Sequence, residues 1–358
     1  MQLLSDRVRK KTRMFRWHHI AGIIAAFFLI ILGVTGSILA FQKEIDRTLN
    51  PSVLIVKPGQ HRVPLNDLVK AAQEHYPQYK ARDIWMPEAE DDALTVGMSK
   101  TGVREGVAVF LDPYTGRVLG DSEHTNNFTD YVRDLHTSLL MGGFGDVLVW
   151  LSAVLMVSLC FTGMTLWWKR RRYVPVAGTP VGVFRLDLHS SLGLYLCAIL
   201  FVFAWTAIRP IPVGLFIDFR KEMAVAQLKA PPDATPLPLE QLLQIAEKTL
   251  PGAKIVRFSI PEKSSGAMPI FLRFPDDHSH SGKSVVVLKP YNGEVAHVLD
   301  PRNLSLLGRY AFQWNMDIHM GAIFGLPSRI FASIASLVLT LLAITGLRLW
   351  LLRRHQED

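Results

Sequence analysis

Four long apolar stretches constrain the fold of this chain more than any other feature of its sequence. They run from about Ile20 to Phe41, Val147 to Trp168, Leu192 to Ile211 and Ser328 to Leu352, with no charged residue near any centre. A helix rises 1.5 Å per residue, so about 20 apolar residues span the roughly 30 Å hydrocarbon core of a bilayer. The stretches therefore predict four transmembrane helices, in agreement with a composition that is 49% hydrophobic.

Basic residues cluster beside these stretches and predict the orientation of the chain. Lysine and arginine next to a span stay in the cytoplasm. Both termini and the loop 169–188 are therefore expected inside, and the segments 42–144 and 212–326 outside. The net charge of +8 is carried largely in such short runs, so it does not indicate nucleic-acid binding. The flanking residues are Arg7, Arg9, Lys10, Lys11, Arg13, Arg16, Lys169, Arg170, Arg171, Arg172, Arg353 and Arg354.

The predicted organisation follows from the spans and their flanks. The first apolar stretch is longer than the roughly 7–15 residues of a signal-peptide core, so we expect a retained anchor and not a cleaved signal. Cys160 and Cys197 fall inside apolar stretches, which predicts neither a disulfide framework nor a thiolate metal site. The predicted boundaries are a cytoplasmic N-terminus at 1–16, spans at 17–41, 145–168, 189–211 and 327–352, outer domains at 42–144 and 212–326, a cytoplasmic loop at 169–188 and a tail at 353–358.

The two long outer segments contain copies of one pattern. The octets 65–72 and 239–246 have helical periodicity, and each is followed by a proline five residues later. Further along, the apolar strands 107–111 and 285–288 run into Asp-Pro-Tyr-Thr-Gly and Lys-Pro-Tyr-Asn-Gly, which predict tight turns between two strands. Each outer segment is therefore expected to form a helix packed on a small antiparallel sheet.

This helix–strand–(Asp)-Pro-Tyr-x-Gly–strand unit resembles the PepSY domain, and two such units between four spans resemble the PepSY-associated transmembrane family of bacterial inner-membrane proteins. The resemblance implies a membrane α+β fold: a four-helix bundle built from a duplicated unit, with two periplasmic α+β domains. It also implies a role in iron uptake, since some members reduce ferric siderophores through membrane-bound b-type haem. Lys289 stands where the first copy has Asp112, so any binding role of that Asp would belong to the first domain alone.

Four histidines lie at the ends of the predicted spans in two matched contexts. Imidazole nitrogen is a common axial ligand of haem iron, and two helices that each offer one histidine at the same depth can hold a haem between them. A glycine one helix turn beyond the imidazole, as Gly22 and Gly193 are, would let a flat macrocycle approach the backbone. The expected ligands of two haem b groups are His18 with His189 near the cytoplasm, followed by Gly22 and Gly193, and His136 with His319 near the outer face, followed by Gly142 and Gly325.

Other interpretations of the histidines stay open. An interfacial histidine is often an amphipathic side chain with a hydrated tip, although four in paired contexts favour haem. His19 is an alternative to His18, because successive helical residues point about 100° apart and both cannot face one iron. His278 and His280 would share a face on a strand and chelate a metal, but a solvated loop is the preferred interpretation of that polar stretch.

These features predict a transmembrane electron conduit. A cytoplasmic or quinol donor would reduce the inner haem, and an acceptor outside would be reduced through the outer one. The resemblance makes a ferric siderophore the leading acceptor and the protein a ferric-siderophore reductase. Residues expected to line the acceptor site are Arg133, Trp314 and Asp317, with Arg209 as a partner of a haem propionate; each is also explained as an interfacial anchor or a surface ion pair.

Two alternatives of other classes are a haem-free periplasmic module that binds or inhibits a peptide or protease, and a transporter that uses the two-fold repeat. The spans lack the polar or broken mid-membrane segments of repeat transporters, which counts against transport. The sequence also lacks a phosphate loop, a dinucleotide glycine pattern and a hydrolase triad. Electrons are therefore expected to arrive from another molecule.

Overall fold

A computed structural model describes residues 2–100, 106–170, 182–208, 235–261, 266–275, 277 and 282–357. Arg209, His278 and His280 lie outside these residues. The chain divides into two compact units. A membrane unit comprises Met1–Gln42, Thr129–Pro210 and Ile318–Asp358, and a sheet unit comprises Lys43–Phe128 and Ile211–Asp317.

The helices and strands follow one another in an order that repeats. The helices are α1 (Gln2–Leu39), α2 (Gln42–Leu49), α3 (Pro51–Leu54), α4 (Leu65–His75), α5 (Phe128–Ser138), α6 (Gly142–Arg170), α7 (Gly182–Ala207), α8 (Leu239–Thr249), α9 (Leu306–Arg309), α10 (Asn315–His319) and α11 (Leu326–Glu357). The strands are β1 (Lys80–Trp85), β2 (Leu94–Ser99), β3 (Gly106–Leu111), β4 (Val118–Asp121), β5 (Lys254–Ser259), β6 (Met268–Arg273), β7 (Ser284–Leu288) and β8 (Val295–Leu299).

Four helices of the described chain are long and apolar enough to cross a membrane, as the sequence predicted. The apolar segments are Arg13–Leu39 in α1, Gly142–Trp168 in α6, Leu188–Ala207 in α7 and Leu326–Leu352 in α11. They begin up to a few residues before the predicted spans, because the helices continue past the apolar residues that mark the spans in the sequence. The chain is therefore a multi-pass membrane protein.

The four spans pack in a ring. α1 contacts α6 and α11, and α7 contacts the same two helices, so α1 lies diagonally opposite α7. Small side chains allow close approach: a Cβ on Gly33 of α1 would lie 2.6 Å from the backbone oxygen of Ser336 in α11. Without a hydrophobic driving force between helices in lipid, such close packing is a main source of association.

The eight strands in the described part of the sheet unit form one antiparallel sheet, in the order β4-β3-β2-β1-β5-β6-β7-β8. The sequence predicted two outer domains, each with its own small sheet; in the structure β1 and β5 pair at the centre, joining the two sheets, and place Ile84 opposite Phe258. α4 and α8 contribute Leu68 and Leu242 to the same buried core. Joining the half-sheets satisfies two edge strands that would otherwise expose unpaired backbone groups.

Each half of the sheet repeats the order helix, then four strands, and ends in a matching hairpin. Gly116 between β3 and β4 and Gly293 between β7 and β8 both have positive φ, at 76° and 71°. In the first hairpin, Asp112 Oδ1 accepts a hydrogen bond from the backbone N–H of Tyr114 at 2.8 Å. In the second, Lys289 Nζ instead pairs with Glu294 at 2.6 Å. The Asp/Lys difference between the copies therefore has a local structural explanation within each turn.

Candidate functional site

Two pairs of partly buried histidines lie at opposite ends of the membrane unit. At one end lie His18 on α1 and His189 on α7, which come from diagonally opposite helices. At the other end, His136 on α5 and His319 on α10 have ring centres 6.4 Å apart with an angle of 51° between the rings. The structure thus places the rings of His136 and His319 close together, and the role of both pairs as haem ligands stays a prediction.

Each of these four histidines contacts a threonine on a neighbouring span through Nδ1. His18 Nδ1 lies 2.8 Å from Thr162 Oγ1, and His189 Nδ1 lies 3.0 Å from Thr345 Oγ1. At the opposite end, His136 and His319 contact Thr35 and Thr206. The corresponding Nδ1–Oγ1 distances are 2.8 Å and 3.1 Å. Because Nδ1 is engaged in every case, Nε2 is the nitrogen that remains to bind a ligand.

The residue after each threonine is small, and this lets the imidazole lie against the helix backbone. A Cβ on Gly36, Gly163 or Gly346 would lie 3.2–3.3 Å from Cε1 of His136, His18 or His189, tighter than ordinary contact. The fourth threonine, Thr206, is followed by alanine. The neighbouring span thus holds each ring by a hydroxyl and accommodates it beside a residue with little or no side chain.

The threonines were missed by the sequence analysis, although a signal for them exists. Each apolar stretch contains one Thr followed by Gly or Ala, and the four dipeptides are Thr35-Gly36, Thr162-Gly163, Thr206-Ala207 and Thr345-Gly346. A single Thr-Gly in a membrane helix is uninformative because small residues are common in helix contacts. Its recurrence in all four spans is the informative feature.

The glycines that the sequence singled out lie elsewhere. A Cβ on Gly22 or Gly193 would meet leucine side chains of adjacent helices at 3.9 and 3.8 Å, an ordinary contact. Their predicted role, making room for a macrocycle, stays a prediction. Gly142 and Gly325 have φ of 56° and 67° and stand where the chain turns into α6 and α11. They give the backbone a left-handed conformation that glycine adopts without strain.

The side chains of His18 and His19, the two candidates for the inner ligand, point in different directions. His18 faces Thr162 on another helix, whereas the ring of His19 lies 5.8 Å from that of Phe15 on its own helix. Successive residues of a helix diverge in this way because each turns about 100° from the last. The geometry favours His18 as the ligand.

The predicted acceptor-lining residues have local contacts of their own. Arg133 Nη1 pairs with Asp130 at 2.6 Å on the same helix, and its side chain is substantially exposed. The guanidinium carbon of Arg309 lies 4.8 Å from the centre of the Trp314 ring. Asp317 is buried. Their role toward an acceptor stays a prediction, as does that of Arg209, which lies outside the described residues.

The spacing of His136 and His319 is compatible with two imidazoles on one haem iron. Within the described residues, no group of three or more His, Cys, Asp or Glu side chains is placed to hold a metal ion. Haem needs only two axial ligands, because the porphyrin supplies the other four. Two nitrogens at about 2 Å from one metal put their ring centres about 6 Å apart, close to the 6.4 Å between His136 and His319.

Four apolar spans joined to an antiparallel sheet with two helices define a multi-pass membrane protein of the α+β class. The chain belongs to the family of the PepSY-associated TM region, whose sequence profile matches residues 15–353. The match runs through all four spans and both halves of the sheet, and it confirms the resemblance inferred from the repeated motifs. No curated protein matches the chain.

Proposed function

We propose that this protein is a bacterial inner-membrane electron-transfer protein that binds two haem b groups and reduces a ferric siderophore in the periplasm. The observation that carries the proposal is the placement of four histidines as two pairs, one at each end of a four-helix bundle, with the rings of His136 and His319 6.4 Å apart. Each pair takes one histidine from each half of a duplicated chain. Such pairing in a bundle core is a common way to hold a cofactor between helices.

His18 with His189 and His136 with His319 would each hold one haem. Haem would supply reversible one-electron transfer when bound. Engagement of two imidazoles by each haem would favour electron transfer over oxygen chemistry. The apolar side chains of the spans around the histidines exclude water and lower the local polarity.

The two pairs are separated by most of the membrane thickness. Thr35, which contacts His136, lies 17 residues after His18 on α1. This separation corresponds to about 25 Å along the helix. A bilayer core is roughly 30 Å thick. The pairs are thus suited to accept an electron at one face and deliver it at the other.

Ferric siderophore is the acceptor that the family resemblance favours. Siderophore oxygens are hard ligands that suit ferric iron, and ferrous iron is held less tightly. One electron taken from a cytoplasmic or quinol donor converts Fe³⁺ to Fe²⁺ and releases the metal. With both termini in the cytoplasm, as the basic flanks predict, the sheet unit lies in the periplasm on the acceptor side.

A haem spectrum and stoichiometry test the proposal directly. Protein purified in detergent from haem-replete cells should show a Soret band that shifts on dithionite reduction, with about two haems per chain. His136→Ala and His319→Ala should each lose about one haem, because they share one iron, and the double variant should lose no more. His61→Ala, at an exposed position, is the control and should keep both. A colourless protein would instead support a haem-free binding module.

Reoxidation tests the acceptor. Protein reduced with dithionite and freed of excess reductant should be reoxidised within seconds by a ferric hydroxamate siderophore. The gallium complex of the same siderophore has the same shape and charge but accepts no electron, so it should leave the reduced spectrum unchanged. Failure with every ferric siderophore, combined with reoxidation by another periplasmic acceptor, would retain the electron conduit and reject iron as its target.

A further inference from the structure

We propose that Thr35, Thr162, Thr206 and Thr345 are positioning residues that decide which nitrogen of each histidine binds iron and that tune the reduction potential of each haem. The proposal rests on the haem function proposed above and extends it to residues outside the ligand set. Its basis is a hydrogen-bond geometry that recurs at all four histidines.

The direction of these hydrogen bonds follows from the second contact of each threonine. Thr35 and Thr162 Oγ1 each donate to a carbonyl one turn earlier, that of Ile31 at 2.7 Å and that of Ser158 at 2.8 Å. Thr206 and Thr345 do the same, with the acceptors Val202 O at 2.7 Å and Leu341 O at 2.8 Å. A hydroxyl has one proton. Since the hydroxyl donates that proton in its hydrogen bond to the carbonyl, the threonine Oγ1 accepts a hydrogen bond from the histidine.

The histidine must then carry its proton on Nδ1. At His319 a second contact leads to the same conclusion, because Nδ1 also lies 3.2 Å from the carbonyl oxygen of Phe203, which can only accept. A neutral imidazole protonated on Nδ1 has its lone pair on Nε2. This is the tautomer that a metal-binding histidine requires when its other nitrogen donates to a neighbouring acceptor.

The opposite arrangement would disable the ligand. If the threonine donated to a bare Nδ1, the proton of the neutral ring would sit on Nε2 and block iron binding. The helix carbonyl prevents this because it accepts the hydrogen bond that the threonine hydroxyl donates. The bond also fixes the rotation of the ring about its Cβ–Cγ bond, so the Nε2 lone pair has one direction.

Each histidine is positioned by a threonine of its own half of the chain and would share its haem with the histidine of the other half. His18 and Thr162 belong to the first two spans, and His189 and Thr345 to the last two. The partner across the iron, however, is the histidine of the other half. Each half therefore orients its own ligand, and the threonine acts through the histidine without contacting the haem.

Hydrogen bonding through Nδ1–H makes the imidazole a stronger electron donor to iron. A stronger donor stabilises ferric more than ferrous iron. Replacing a threonine by valine, which has the same shape without the hydroxyl, should therefore raise the reduction potential of the adjacent haem. Loss of such outer contacts typically weakens metal binding by about 10–100-fold.

The test compares Thr162→Val, Thr162→Ser and Thr165→Val in the full chain. Thr165 lies on the same helix and bonds the carbonyl of Phe161 at 2.7 Å, so its valine variant controls for loss of a membrane hydroxyl. Thr162→Val should release haem about 10–100-fold more readily to apomyoglobin and raise one of two potentials in a redox titration. Serine should restore both values, and Thr165→Val should match the unaltered protein.

A measurement on the unaltered protein covers the case in which the valine variant fails to fold. Electron–nuclear double resonance of the ferric protein, before and after exchange into D₂O, should detect an exchangeable proton on the remote nitrogen of each ligand imidazole. Its absence would overturn the proposal, as would unchanged affinity and potential in a folded Thr162→Val variant. A wild-type protein without haem would overturn the proposed function itself, and this inference with it.

Discussion

Several titratable side chains surround one buried carboxylate in the sheet unit. Asp121, at the end of β4, accepts hydrogen bonds from His124 Nδ1 at 2.7 Å and from the backbone N–H of Glu123 at 3.0 Å. His75 Nε2 lies 3.5 Å from the same carboxylate. Burial by itself would raise the pKa of Asp121, but hydrogen bonds from His124, His75 and Tyr76 together lower it below the usual value. The bond to Asp121 in turn raises the pKa of His124.

These shifts predict how the stability of the sheet unit depends on pH. The lowered pKa of Asp121 stabilises the fold above about pH 4, and this contribution is lost as pH falls through the folded pKa. The raised pKa of His124 stabilises it below about pH 6.5 and is lost as pH rises through the folded pKa. The pair is therefore strongest between about pH 4 and 6.5.

His124→Gln should lower the melting temperature at pH 6 by about 1–2 °C and should have almost no effect at pH 9. The small size follows from the exposure of the His124 side chain, 78% by area. Thermal melting of the detergent-solubilised protein, monitored at both pH values, measures this. An equal loss at pH 6 and pH 9 would mean that the His124 charge contributes nothing.

At the scale of the elements, β1 and β5 make one sheet out of two similar halves. Ile84 and Phe258 face each other across this junction, and both are fully buried. Residues of α4 and α8 pack on them in one continuous core. The halves are thus expected to unfold together, although each has its own helix and four strands.

Phe258→Ala should destabilise the sheet unit by about 3–5 kcal/mol, the usual cost of removing a buried aromatic ring. Hydrogen exchange should show faster opening in β2 and β7 alike, because both halves share the core. Val295→Ala, on the exposed side of edge strand β8 at 38% exposure, is the control and should change little. Faster exchange confined to β5–β8 would show that the halves unfold independently.

At the scale of the whole molecule, both units join the two halves of the chain. In the membrane unit the halves meet where α1 packs on α11 and α6 packs on α7, and in the sheet unit they meet at the paired strands β1 and β5. An even number of spans returns the chain to its starting side of the membrane. The termini and the sheet unit are therefore expected on opposite sides, with the basic flanks deciding which side is which.

Cysteine labelling tests this orientation. In a variant with Cys160 and Cys197 replaced by serine, Lys70→Cys on the exposed face of α4 should react with an impermeant maleimide in cells whose outer membrane is permeabilised. Gln356→Cys, near the C-terminus, should react only after the inner membrane is broken. Lys70 is suitable because its side chain is 74% exposed. If only Gln356→Cys were labelled while the inner membrane is intact, the orientation would be the opposite of the one expected.

The sequence alone determined those features that depend on local composition and spacing. Apolar length predicted four spans because the hydrocarbon core imposes a minimum length on any helix that crosses it. The Pro-Tyr-x-Gly turns predicted both hairpins because the chain reverses there through a glycine with positive φ. Matched histidine contexts predicted the pairs 18–189 and 136–319, since the two members of each pair occupy corresponding positions in the repeat.

Only the tertiary structure decided which surfaces of these elements meet. Pairing of β1 with β5 depends on two edge strands far apart in the chain, and either edge could have stayed open or been covered by a helix. The contacts of Thr162 with His18 and of Thr35 with His136 depend on how each helix is rotated and how deep it sits, and hydropathy does not encode either quantity. For the same reason the sequence did not single out Gly163 and Gly346, the glycines of neighbouring helices that lie beside the His18 and His189 rings: proximity across helices is set by packing, not by distance along one of them.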